Sequence, residues 1–257
     1  MTPRKKYIAF QTIFVREIRR FMRIWPQTLL PPAITMVLYF IIFGNLIGSR
    51  IGKMGGYDYM QFIVPGLIMM TVITNSYGNV VSSFFSIKFQ RSIEELLVSP
   101  VPNYIILLGF VFGGMARGIL CGLTVTLLSL FFTRLAIDNI IITLCVIVLT
   151  AAVFSLAGFL NALFAKKFDD ISIVPTFILT PLTYLGGVFY SIKLLPDFWQ
   201  GVSMMNPILY MVNAFRYGIL GESDVSIAFS LSMIVFFTVI FFTVALTLLN
   251  KGVGIRE

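Results

Sequence analysis

Apolar residues in this chain neither alternate nor fall into short amphipathic bursts; they run on. Six stretches, 27–47, 61–87, 104–132, 139–164, 171–190 and 226–249, each reach the roughly 20 residues that fill about 30 Å of hydrocarbon at about 1.5 Å per residue. Backbone polar groups cannot stay unpaired in lipid, and the runs lack the two-residue alternation of a barrel, so each is read as a helix. The pattern predicts an all-α polytopic membrane protein of six transmembrane helices, a bundle over 27–249 within one transmembrane domain, 1–257.

Two segments outside the runs carry helical periodicity of their own. Over residues 1–25, Tyr7, Phe10, Phe14, Ile18, Phe21 and Trp25 fall on one face at 100° per residue, with Arg16, Arg19, Arg20 and Arg23 opposite. That is the pattern of an interfacial helix, aromatic face down and arginines toward anionic lipid or a partner protein. A plain positive anchor and a partner contact both satisfy it. In the loop 88–103, charged and apolar residues alternate at helical spacing until Pro100 and Pro102 stop them. A short helix follows, with Ile93, Leu96 and Leu97 apolar and Arg91, Glu94 and Glu95 polar.

Composition and charge then fix the class and its orientation. The chain is 58% hydrophobic and 12% charged, far from a water-soluble domain, and its net charge is +8. With the N-terminus inside, the cytoplasmic segments hold thirteen of the nineteen basic residues, including the N-terminal arginines, Lys88, Arg91, Lys166, Lys167, Lys251 and Arg256. The opposite side holds Arg50, Lys53, Arg134 and Lys193, so both termini, including the 250–257 tail, are expected in the cytoplasm. The basic residues that precede the first long run do not read as a cleavable signal.

Candidate chemistry is sparse. There is no His, and Cys121 and Cys145 both sit in apolar runs, which leaves no basis for a His-ligated metal, a catalytic triad, a CxxC site or any intramembrane enzyme. None of the six runs contains Asp or Glu, although ion-coupled transporters usually need an intramembrane carboxylate. The nearest approach to a P-loop, from Gly48 to Met54, is one residue short between its glycines and has Met where Ser or Thr should hold magnesium. Energy must come from elsewhere, or the protein is a passive channel or scaffold.

Three features inside the runs stand out. Arg117 lies midway along the third and is expected to face the bundle or snorkel along a helix groove, clasped by carbonyls or by Asn75 and Asn79 at i and i+4 of the second, or else to bind anionic cargo. Gly114, Gly118 and Gly122 form a groove for close helix approach. In the fifth run Pro175, Pro181 and Gly186-Gly187 interrupt a helix carrying Thr176, Thr180, Thr183 and Tyr184, as in a segment that lines a cavity or interface, or one with a buried kink. After it, 191–221 is Pro-broken and rich in interfacial aromatics, and reads as two short re-entrant helices in the outer leaflet.

The order of these parts resembles the ABC-2 family of ABC transporter permeases: a basic amphipathic helix, Ile93-Glu-Glu-Leu-Leu-Val-Ser-Pro-Val-Pro102 after the second run, and Gly186-Gly-Val-Phe-Tyr190 with Leu195-Pro, Asn206-Pro and Arg216-Tyr-Gly after the fifth. Stretches such as Tyr59 to Met70 and Phe168 to Pro175 look most like the inner-membrane permeases of Gram-negative bacteria. The resemblance covers the whole chain. It implies a homodimer exporting lipids, lipid-linked glycans, polysaccharides or drugs, each subunit taking a separate cytosolic ABC ATPase that holds ATP and Mg. No cofactor is expected on this chain, and no nucleic acid among its partners. It maps the coupling helix to 91–99, the interface helix to 7–25 with Phe14 and its arginines, the re-entrant pair to 196–218, and the dimer and pathway surfaces to the first and fifth runs. Tyr39, Phe43, Thr176, Thr180 and Tyr184 are then the expected path residues.

Overall fold

The computed structural model describes residues 1–254; the side chains of Asn45, Leu46, Ser49 and Leu97 lie outside that description, so the roles expected of Leu97 and of Arg256 lie outside the described residues. Its helices are α1 (Pro3–Arg23), α2 (Trp25–Tyr39), α3 (Tyr59–Phe89), α4 (Ile93–Val98), α5 (Asn103–Ser129), α6 (Ile140–Phe164), α7 (Asp170–Leu185), α8 (Asp197–Met204), α9 (Pro207–Leu220) and α10 (Ile227–Lys251). Helix α2 continues through a π-helical stretch, Phe40–Ile47, and one last turn, Gly48–Ile51.

Among the described residues, five helices are long and apolar enough to cross a membrane: Trp25–Gly44, α3, α5, α6 and α10. The fifth expected span is shorter. Helix α7 stops at Leu185, because Gly186 leaves helical geometry and Gly187 takes φ +71°. Residues 188–190, expected at its end, belong to the turn beyond. Within α7 the chain widens into a π-helical segment, Pro175–Leu179, since Pro175 and Pro181 bring no N–H to the ladder; Thr180 Oγ1 donates to Pro175 O at 2.9 Å instead. A second departure from the all-helical expectation is a small hairpin, in which Lys53 pairs with Asp58 and Met54 with Tyr57. Gly55 and Gly56 make its turn at φ +58° and +81°, a conformation that suits residues without a Cβ.

The centre of the bundle is α3 with α5 and α6. In the most apolar window of α3, 72% of residues are buried and in α5 67%, against 17% in α2 and 11% in α10. Two stripes of glycine on α5 make this packing possible. Gly114, Gly118 and Gly122 meet Val80, Ser76 and Val72 of α3 so closely that a Cβ would not fit, as the sequence predicted. On another face, Gly109 and Gly113 receive Ile13 and Glu17 of α1 in the same way, a second stripe whose partner helix lies nearly a hundred residues away in the chain.

Side-chain bonds tie the helix ends together. At the end holding α1, Lys88 Nζ donates to Leu163 O (2.6 Å) and Ala165 O (2.7 Å), capping the carbonyl end of α6, and Asn103 Nδ2 donates to Asn250 Oδ1 at 2.8 Å. We call this the basic end. At the far end, Asn139 N donates to Gly218 O (2.8 Å) and Asn139 Oδ1 caps α6 by accepting from Ile142 N at 3.1 Å. Helix α9 is buried there among α3, α6 and α10.

Candidate functional site

At the basic end α1 does not simply rest its aromatic face on lipid. Its buried residues are Ile13, Glu17 and Phe21, one turn apart and turned onto α5, while Phe10 and Phe14 pack edge-on against Phe112 at centroid distances of 5.5 and 6.5 Å. A carboxylate only 1% exposed must be paired. Arg20 Nε lies 3.3 Å from one oxygen of Glu17 and Arg16 Nη2 3.5 Å from the other. Arg20 also donates through Nη2 to Asn79 O (2.9 Å) and Asn79 Oδ1 (2.7 Å). Arg20 was expected to point away from the membrane with its neighbours; it turns inward, because Glu17 is there to neutralise it and Asn79 to orient it. The remaining arginines, Arg16, Arg19 and Arg23, stay on the exposed side and line with Arg20 a groove of about 910 Å³ against Ser83, Ser86 and Gln90 of α3.

Helix α4 also stands at the basic end. Arg91 takes φ +60°, unusual for a residue with a side chain, and this sharp joint turns the chain out of α3 into α4. Ile93 is buried and Leu96 packs on the core, with Glu94 and Glu95 exposed, as the periodicity predicted. A recess of about 640 Å³ opens beside it, lined by Lys88, Arg91, Glu94, Lys166 and Val253. Across the recess, the N–H groups of Lys166 (2.8 Å) and Lys167 (2.9 Å) bind the exposed Asp170 carboxyl and hold it below the usual carboxylate range.

The expected path residues gather in part. Tyr39, Phe43 and Tyr184 all lie against one ring, Phe189, at centroid distances of 5.7, 5.2 and 5.8 Å, and Tyr39 and Phe43 touch each other. Phe189 was missed, because it lies beyond the end of α7 and only the Gly186-Gly187 turn folds it back. Thr176, Thr180 and Tyr184 share one uncovered face of α7, while Thr183 is buried on the other.

The expected clasp of Arg117 is not made. Asn79 is held by Arg20, Asn75 Nδ2 donates to Thr71 O of its own helix at 3.0 Å, and Arg117 Nε is buried with no acceptor among the described residues. Arg117 and Asn75 instead line one cavity of about 310 Å³ with Thr28, Thr35, Thr71 and Thr74. At the far end a second buried arginine is handled differently. Arg216 donates from Nη2 to Gly187 O (2.6 Å) and from Nε to Phe62 O (3.4 Å), with its guanidinium 3.9 Å from the centroid of the Phe62 ring.

A family profile described as "ABC-2 type transporter" matches residues 8–220. The chain is 60% identical over 251 residues to the inner membrane transport permease YadH of Escherichia coli K12, covering 98% of each. It is also similar to nodulation protein J of Neorhizobium galegae, 21% identical over 93% of this chain and 92% of the relative, and to that of Sinorhizobium fredii, 23% identical over 80% and 79%.

Proposed function

Because the chain belongs to the ABC-2 type transporter family and is a multi-pass inner-membrane permease subunit, we propose that it is the membrane half of an ABC exporter, working as a homodimer on two copies of a separate cytosolic ATPase. The basic end faces the cytoplasm, in keeping with the excess of Lys and Arg there. ATP and Mg stay on the ATPase; this chain supplies the docking surface and the path.

One observation carries the reading: α4 is pinned to the core by Ile93 and presents Glu94 and Glu95, an exposed acidic pair, beside an open recess lined by Lys88, Arg91 and Lys166. Closure of the ATPase pair presses on α4 and α1. Helix α4 joins α3 at Arg91, and α1 is bonded to α3 through Arg20 and Asn79, so both inputs reach the same central helix. The outputs are the two thinly covered helices, α2 and α7, which join at Phe189 and carry Tyr39, Phe43, Thr176, Thr180 and Tyr184 to the face of a second copy. Helices α8 and α9, too short to span, close the path on the outer side as a re-entrant pair.

The experiment is an affinity pull-down of the tagged protein in mild detergent, scored for a co-purifying ATPase and for its ATP turnover. A stoichiometric ATPase is expected, with turnover stimulation lost in a Glu94→Arg, Glu95→Arg variant whose thermal melt is unchanged. Recovery of the chain alone, with nucleotide and lipid supplied, would overturn the reading in favour of a passive channel.

A further inference from the structure

We propose that the cavity at Arg117 receives the phosphate of an amphipathic cargo, and that the arginine groove at the basic end feeds it. The inference rests on the permease reading and names the class of molecule carried.

The starting point is an unmatched charge. Arg117 lies in the middle of α5, and none of α2, α3 or α5 contains an Asp or Glu to answer it. Its near neighbour on the same helix is Cys121, a poor acceptor whose Sγ is directed to Thr28 O at 3.7 Å. An arginine kept at this depth with no carboxylate beside it is costly, and an anion in the cavity would offset that cost. The lining is suited to one. Thr71 and Thr74 donate their hydroxyls to carbonyls of their own helix, which leaves the Arg117 guanidinium as the charged donor in the lining. At about 310 Å³ the cavity is at the small end of ligand pockets, large enough for a head group rather than a whole glycan.

The surroundings link the groove to the cavity and choose an amphipath. Thr71, Asn75, Asn79 and Ser83 follow one another at four-residue spacing on α3, a polar stripe largely buried within the bundle and held at Asn79 by Arg20, which would have to let go for an anion to pass from the groove to the cavity. Ser83 Oγ is buried without a partner where it lines the groove. The groove gathers four arginines against a single carboxylate, Glu17, so its field favours anions and draws them toward the stripe. On the membrane side, Leu30, Ile34 and Leu38 of α2 are 48%, 58% and 53% exposed, one turn apart beside Pro31 and Thr35 of the cavity. An acyl tail laid on that row stays in lipid while its phosphate reaches Arg117.

The test uses the full-length protein in nanodiscs of phosphatidylcholine, with retention of added dioleoyl phosphatidic acid read by native mass spectrometry. Wild type is expected to retain phosphatidic acid over phosphatidylcholine by about tenfold or more, the scale of one charge-assisted contact. Millimolar inorganic phosphate should not displace it. Arg117→Gln should lose the preference and Arg117→Lys keep part of it. Thr74→Phe, which fills the cavity and leaves the charge, should lose it too. Two results overturn the proposal: Arg117→Gln retaining the lipid as wild type does, which would leave the attraction to the surface arginines alone, or displacement by inorganic phosphate, which would make the site one for the free ion. Gel filtration and melting of each variant separate lost binding from lost fold. Partner-stimulated ATP turnover on the same preparation keeps the two readings apart: normal coupling without lipid retention sinks this inference alone, and retention without any ATPase partner sinks the exporter reading.

Discussion

Two arginines lie inside this bundle, and the fold treats them in opposite ways. Arg216 is 2% exposed at the far end, bonded to two backbone carbonyls from separate elements and stacked on Phe62, with Asp224 lining the same cavity. It ties the start of α3, the turn after α7 and α9 into one unit. Each keeps one buried nitrogen without a partner, Nη1 of Arg216 and Nε of Arg117, and each lines a cavity. The difference is the anchor: Arg216 bridges two backbone segments and serves architecture, whereas Arg117 makes no bond to a carbonyl of another element among the described residues and is the one available to something that comes and goes.

The sharpest way to break the comparison is to remove the architectural arginine. Arg216→Leu leaves Gly187 O and Phe62 O without their donor and should cost about 3–5 kcal/mol, read as a large drop in the melting temperature of the detergent-solubilised protein. Arg216→Lys keeps the charge but cannot span both carbonyls, so most of the loss should remain. A leucine variant as stable as wild type would erase the distinction. The next largest effect comes from the neighbour of the other arginine. Gly118 packs against Ser76 and the Val72 carbonyl with no room for a Cβ, so Gly118→Leu must push α5 from α3 at a cost of about 1–3 kcal/mol. Circular dichroism melts should place it between the two arginine substitutions, showing that one helix carries a structural face and an open one.

How far the sequence reached follows the same division. Features set by neighbours along the chain were legible: the helix limits to within a few residues, the Gly114-Gly118-Gly122 groove, the Ile93 and Glu94 faces of α4, and the break in α7 at its prolines. Features set by distant partners were not. Glu17 did not stand out, because its burial depends on a notch at Gly113 nearly a hundred residues later. Arg20 pairs with Asn79 across 59 positions, and that pairing took away the amide assigned to Arg117. Phe189 is drawn to Tyr39 and Phe43 only by a glycine turn that also shortened α7. Each miss is a polar or aromatic side chain whose partner the periodicity of its own segment does not contain.

The smallest expected effect on stability is the most informative. Arg117→Gln removes a charge that no residue of the described chain neutralises, so the folded state gives up no ion pair and sheds the cost of keeping a cation at that depth. Glutamine is shorter and still polar, and the cavity beside it is already open, so packing changes little. The melting temperature should therefore stay within the shift that about 1 kcal/mol produces, or rise. Cargo-dependent stimulation of the partner ATPase should nevertheless fall, while the basal rate, which depends on α4 docking and not on Arg117, holds. A variant both destabilised and slow in basal turnover would place Arg117 with Arg216 as part of the frame. A variant that melts like wild type but no longer answers to cargo would separate them, because only a group that binds what passes through can be lost without the fold noticing.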